Sequence, residues 1–278
     1  AKQLLFFIRQ CTTIKAMIDD EDSKRNKLIS SWFRGIAVAG AFLTRLPFRI
    51  ESPIRVSDLG SAVHMFPVIG LIAGSLGAAA FWIAAQIGLN SIASGAIGLA
   101  AVVWITGALH EDGLADFFDG ISAWDRDRRL EIMRDSSIGA FGVLALIFSI
   151  VFKVSILAEL LTDGTAFSAL IAAVAISRGM MPLLMYFMTP ARADGLGSEA
   201  GRPSGKAVGM AVIISGLISG ILFDGWSAIL ILFSAAIAVM GLGLLAQRRL
   251  GGYTGDVLGA AQQFAEIAVL VVAGAYAV

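Results

Sequence analysis

The run His110-Glu111-Asp112-Gly113-Leu114-Ala115-Asp116-Phe117-Phe118-Asp119-Gly120 sets four acidic groups and a histidine directly behind a long apolar stretch. Charge this dense is costly at the edge of hydrocarbon and implies a compensating role. Read as helix, Asp112, Asp116 and Asp119 fall at i, i+4 and i+7 and share one face. Three carboxylates on one face repel one another unless a cation sits between them. They read as ligands for a hard divalent ion, Mg2+, which takes oxygen donors. His110 adjoins them as a general base or metal ligand, with an interfacial histidine as the plain alternative.

Further polar groups follow. Residues 125–136 mix both signs, and Arg129, Arg134, Asp135 and Ser136 are candidates for holding phosphate, since guanidinium matches phosphate oxygens in pairs. Carboxylates for a metal beside arginines for phosphate are the parts that phosphoryl transfer needs. Arg178 interrupts an apolar run, where a charge costs a few kcal/mol even on lenient scales. It needs a polar cavity or a carboxylate, and Glu159 or Glu266 would make a purely structural pair. Lys153 is also within an apolar run, but its long stem allows the amine to reach the interface. The segment 250–260 is glycine-rich ahead of a helix, so Gly255 and Asp256 suit close approach of phosphate, with a plain N-cap as the alternative. Glu266, two to three turns further on, is placed with the same cavity.

These groups sit in a chain of 278 residues with only 15% charged residues and equal numbers, 21 and 21, of basic and acidic side chains. Mean hydropathy is +0.81, too apolar for an ordinary soluble domain. Nothing in the balance points to nucleic acid. The single Cys11 excludes an internal disulfide framework. About seven runs reach membrane-crossing length, at 67–89, 91–109, 138–161, 165–188, 207–223, 226–246 and 257–278. Residues 59–67 continue the first run but are expected in the interface, with Pro67 breaking or kinking the helix. The apolar stretch 36–42 is short and reads as a re-entrant or interfacial segment. Connections rich in Arg and Lys alternate with connections that have none, which places the long loops in the cytoplasm. Lipid tolerates only helices or closed barrels, and barrel alternation is lacking. The expectation is therefore an all-α, polytopic transmembrane helical bundle. Residues 1–34 form a charged cytoplasmic or interfacial extension, and residues 35–278 a single membrane-embedded catalytic domain.

Phe42-Leu43-Thr44-Arg45-Leu46-Pro47, the 110–120 motif, the run from Arg129 to Leu146, Ser177-Arg178, Gly195-Leu196-Gly197 and 252–260 occur in this order. As a set, they resemble the cobalamin synthase family, the adenosylcobinamide-GDP ribazoletransferases. The resemblance runs from about Gly35 onward. It implies an Mg2+-dependent enzyme of the bacterial or archaeal cytoplasmic (inner) membrane, with its site facing the cytoplasm. The implied partners are adenosylcobinamide-GDP, α-ribazole or its 5′-phosphate, membrane lipid and other enzymes of the corrinoid pathway. In the reaction so implied, the ribazole 5′-hydroxyl attacks and GMP leaves. Asp112, Asp116 and Asp119 would hold the metal, Arg134 or Arg178 would neutralise phosphoryl charge, and His110 or an aspartate would take the proton. Gln263 stands where the family is expected to carry an acid. Two rivals were weighed on the residues. A CDP-alcohol phosphatidyltransferase would need arginine where Asp116 stands, and a secondary transporter would show paired inverted halves, which this sequence lacks.

Overall fold

The computed structural model of the chain describes residues 31–48, 55–162 and 164–276. Most of the charged N-terminal extension, Cys11 included, lies outside the described residues. So do Arg49 and residues 50–54.

Helix α1, Ser31–Leu43, is apolar but short of a crossing. A helical run then extends over Val56–Gln86. It begins with short turns and straightens into α2, Phe66–Gln86, with Pro67 in the first turn. Proline fits there because its missing N–H would have had no intrahelical partner. Pro67 therefore starts a helix rather than breaking one. Asn90 caps α3, Ser91–Thr106, by accepting from the Ala93 amide at 2.8 Å.

The expected run 91–109 is not one straight helix. Gly107 (φ 67°) and Ala108 (φ 59°) both turn left-handed. Helix α4, Leu109–Ile121, leaves at 90° to α3. Glycine takes the first of these conformations freely, and Ala108 is held there against its preference. The acidic face thus rides on a separate leg. After the short α5, Arg126–Ile132, come α6 (Ala140–Leu160), α7 (Ala166–Phe187), α8 (Gly205–Leu222), α9 (Gly225–Leu250) and α10 (Gly255–Tyr276). Helix α9 outruns its expected end at 246, and its last turn carries Arg248 and Arg249, which favour the helix C-terminus.

Among the described residues six helices are long and apolar enough to cross a bilayer, and a seventh span results if the bent α3–α4 pair counts as one. The chain is a polytopic helical bundle, and no strand forms among the described residues. Helix α7 is its axis, packed by α2, α8 and α10 and buried along most of its length. Helix α6 instead exposes Phe141, Phe148 and Phe152, as a lipid-facing span does.

Candidate active site

Helix α4 carries its carboxylates to the N-terminus of α10. The two helices meet at Gly113 and Gly259, where a Cβ on either would lie 3.2 Å from the other's Cα. Small residues at such crossings allow close backbone approach. Asp112 is exposed and Asp116 half-buried on this face. Asp116 lies in the field of Asp112, Asp256 and Asp119, in the last case through a carboxylate already committed elsewhere. Both oxygens of Asp119 accept backbone N–H groups, from Gly139 at 2.7 Å and Gly142 at 2.8 Å. Asp119 therefore caps the start of α6. Among the described residues no three acidic or imidazole groups converge to close a metal site. Mg2+ commonly takes one or two carboxylates and fills its remaining positions with water and substrate phosphate. Asp112 and Asp116 fit that demand, with Asp256 opposite; Asp119 is buried, and each of its oxygens already accepts one backbone N–H.

Asp256 is the second residue of α10 and accepts from the Thr254 hydroxyl at 3.1 Å. Its Oδ2 is 3.9 Å from Nη2 of Arg192. Nη1 of Arg192 is buried without a hydrogen-bond partner among the described residues. A guanidinium with an uncommitted donor beside clustered carboxylates is suited to a phosphate oxygen. In the sequence Arg192 is only one base of a long polar loop. Its sole signal there was its place just ahead of Gly195-Leu196-Gly197. The loop is built onto α10: Tyr253 and Thr189–Ala191 exchange two backbone bonds, and the Tyr253 hydroxyl donates to the Gly197 carbonyl at 3.0 Å.

The other expected phosphate ligands are placed differently. Arg129 is buried and spends its guanidinium on three backbone carbonyls, those of Ala123 (2.8 Å), Trp124 (2.9 Å) and Arg249 (3.1 Å). It ties α5 to α9 with three of its five N–H donors. Arg134 pairs with Asp194 at 2.7 Å on the exposed surface. Asp135 and Ser136 are also exposed; the hydroxyl and amide of Ser137 hold the Asp135 carboxyl below its usual range.

Arg178 and Glu266 do not reach the acidic face. They belong to a buried network beneath it. Glu266 Oε1 is 3.1 Å from Lys153 Nζ, its Oε2 is 3.7 Å from Arg178 Nη1, and Gln262 also donates to it. The structural pairing with Glu266 is therefore formed. Lys153 does not reach the interface; it also donates to Gln263 Oε1 at 2.7 Å. Gln263 bridges onward, its amide donating to Glu111 Oε1 at 3.0 Å. Two cations and two anions cancel within this network, as groups removed from water require. Arg178 Nη2 lies 3.3 Å from His110 Nδ1. Arginine only donates, so Nδ1 accepts and the imidazole proton sits on Nε2. Arg178 thereby positions His110.

His110 and Asp112 line a cavity of about 150 Å³ together with Gly255 and Asp256. Its walls are apolar, with Phe42 from α1, Phe66 from α2, Met181 and Met185 from α7, and Leu258 from α10. The structure thus brings Asp112, Asp256, Gly255 and His110 together around one cavity, with Asp116 in the field of Asp112 and Asp256 and with Arg192 beside Asp256.

The model of the cobalamin-5-phosphate synthase family matches residues 35–274. A protein named adenosylcobinamide-GDP ribazoletransferase from Mesorhizobium japonicum is 40% identical over 86% of this chain and 92% of its own length. Proteins of the same name from Klebsiella pneumoniae (39%, covering 87% of this chain and 98% of theirs) and Escherichia coli K12 (37%, covering 83% and 95%) are similar. No solved structure matches. With the family match running over residues 35–274 and relatives about 40% identical over most of their length, the chain belongs to the cobalamin-5-phosphate synthase family.

Proposed function

We propose that the chain performs the ribazoletransferase reaction for which its relatives are named, with Mg2+, at the cytoplasmic face of an inner membrane. The observation that carries this reading is the meeting of α4 and α10. It sets Asp112 and Asp116 against Asp256 and the uncommitted Nη1 of Arg192, beside an apolar cavity. Asp112 and Asp116 would hold Mg2+, which supplies charge neutralisation on a diphosphate. Arg192 takes a phosphoryl oxygen of adenosylcobinamide-GDP. The acceptor is α-ribazole or its 5′-phosphate. A 5′-phosphorylated acceptor has no free 5′-hydroxyl, so we assign the attack to a ring hydroxyl of the ribose for both acceptors. The new bond joins that oxygen to the phosphorus bearing the corrinoid arm, and GMP leaves. Asp256 receives the hydroxyl proton. His110 is unsuited to that task because its accepting nitrogen faces Arg178 and its other nitrogen already carries hydrogen. The basic loops that alternate along the sequence favour the cytoplasmic orientation.

The test is GMP release by the purified chain with Mg2+, adenosylcobinamide-GDP and α-ribazole. Wild type should turn over and lose activity on chelation. Asp116→Asn should reduce turnover at least a hundredfold, about 3 kcal/mol at the transition state, while the protein extracts and elutes as wild type does. Undiminished GMP release by Asp116→Asn would remove the metal assignment.

A further inference from the structure

The cavity under the acidic face has two features that no role above uses. Its walls are mainly apolar away from Asp112 and Asp256, and it lies where α1, α2, α4, α7 and α10 meet, so it is not a gap between two lipid-facing helices. It also contains one polar group whose hydrogen-bonding is half complete. His110 is fully buried, and its Nε2 has no partner among the described residues. Since Nδ1 accepts from Arg178, Nε2–H is a buried donor. A buried donor left unmatched costs about 1–3 kcal/mol, so its natural complement is an acceptor that arrives with a ligand.

We propose that this cavity is the subsite for the heterocyclic base of the acceptor nucleoside, and that Nε2–H of His110 donates to the base's unsubstituted ring nitrogen. The inference rests on the reaction proposed above. A benzimidazole is a flat, fused, largely apolar ring system. Once N-glycosylated it keeps one in-plane acceptor nitrogen and no N–H donor. Phe42, Phe66, Met181, Met185 and Leu258 supply apolar contact for such a ring, with the sulfur atoms adapting to its edge. A single donor matches a single acceptor. Guanine, the base of the other substrate, brings several donors and acceptors; the carboxylates on this cavity could take its N–H groups, but the apolar remainder offers its ring acceptors only the one donor of His110. Asp112 and Asp256 lie on the same cavity, so a base seated on His110 delivers its ribose toward the carboxylates. The nucleotide end of the activated corrinoid is then left to Arg192 and the open side of the acidic face.

Equilibrium binding distinguishes this from the proposed reaction. The probes are benzimidazole riboside and indole riboside, which differ in having or lacking the acceptor nitrogen, titrated into the full chain in lipid nanodiscs. Wild type should prefer benzimidazole riboside by about tenfold, the worth of one buried hydrogen bond. In His110→Leu that preference should fall within twofold, and His110→Gln, which restores an N–H, should regain part of it. Met181→Trp, which fills the cavity, should weaken both ribosides together. Equal affinity of wild type for the two ribosides, no binding of either, or a preference that survives in His110→Leu would each overturn the assignment. The wild-type comparison needs no variant to fold. Failure of the reaction itself appears separately, as absence of GMP release whatever the ribosides do.

Discussion

Asp119 and Arg192 exchange the roles that a reading by residue type suggests. A carboxylate at i+7 from Asp112 belongs to the same helical face, and α4 honours that spacing. What spacing cannot reveal is that the N-terminus of α6 arrives at the final turn and takes both oxygens of Asp119. Asp119→Asn should therefore lower thermal stability, by about 1–2 kcal/mol on the scale of a lost helix cap. Mg2+ affinity, followed by calorimetry, should fall less than in Asp116→Asn, since Asp119 is buried and each of its oxygens already accepts one backbone N–H. Arg192→Ala should cut turnover with adenosylcobinamide-GDP at least a hundredfold, about 3 kcal/mol, with the thermal midpoint unchanged. Arg192→Lys should recover only part, because a single ammonium cannot reproduce a fork of donors. Arg192 was hidden in the sequence because nothing local separates it from Arg202, which instead bonds the Tyr186 carbonyl at 2.7 Å. Asp112, Asp116, Asp256 and His110 were legible because charge beside hydrocarbon is conspicuous.

Among the elements, hydropathy alone located every long helix, because each must expose an apolar side to lipid or bury one against α7. It failed at the bend. Residues 91–109 have unbroken apolar character, and only the left-handed pair Gly107-Ala108 divides them. The bend turns a span into a span plus a platform, and the platform holds the chemistry. The buried network is the second element-scale device. Lys153 on α6, Arg178 on α7 and Glu266 on α10 join three helices through one carboxylate. The sequence exposed the need for a partner to Arg178 and offered Glu159 or Glu266, because the periodicity of one helix does not fix its facing neighbours; the structure pairs it with Glu266. Glu266→Gln leaves two buried cations against one remaining acid, Glu111. Its expected cost is about 3–5 kcal/mol, read as a lowered midpoint of unfolding in detergent. Lys153→Met placed in the Glu266→Gln background should restore part of that loss, because the two changes touch the same group and do not add.

On the scale of the whole molecule, the motifs converge at one end of the bundle, where α4 and α5, the 189–201 loop and the start of α10 form a cap over the cavity. Arg126 and Arg129 fasten this cap to the end of α9 by backbone carbonyls of Leu250 and Arg249. A topology follows that labelling can check. In a Cys11→Ser background, Ser136→Cys should react with a membrane-impermeant maleimide only from the cytoplasmic side. Asn90→Cys, in the connection between α2 and α3, should react only from the opposite side. Labelling of both from one side would refute the odd number of crossings between them.

The carboxylate of Glu266 also imposes an order on biogenesis. Helices α6 and α7 leave the ribosome first, each carrying a cation that hydrocarbon resists, and the shared anion emerges only with α10. Until then Lys153 and Arg178 lack the carboxylate that joins them, and Glu111 on α4 is the one acid of the network already made. The helix that completes this pairing is also the one whose first turn bears Asp256, so the buried ion pairs and the acidic face are completed by the same element.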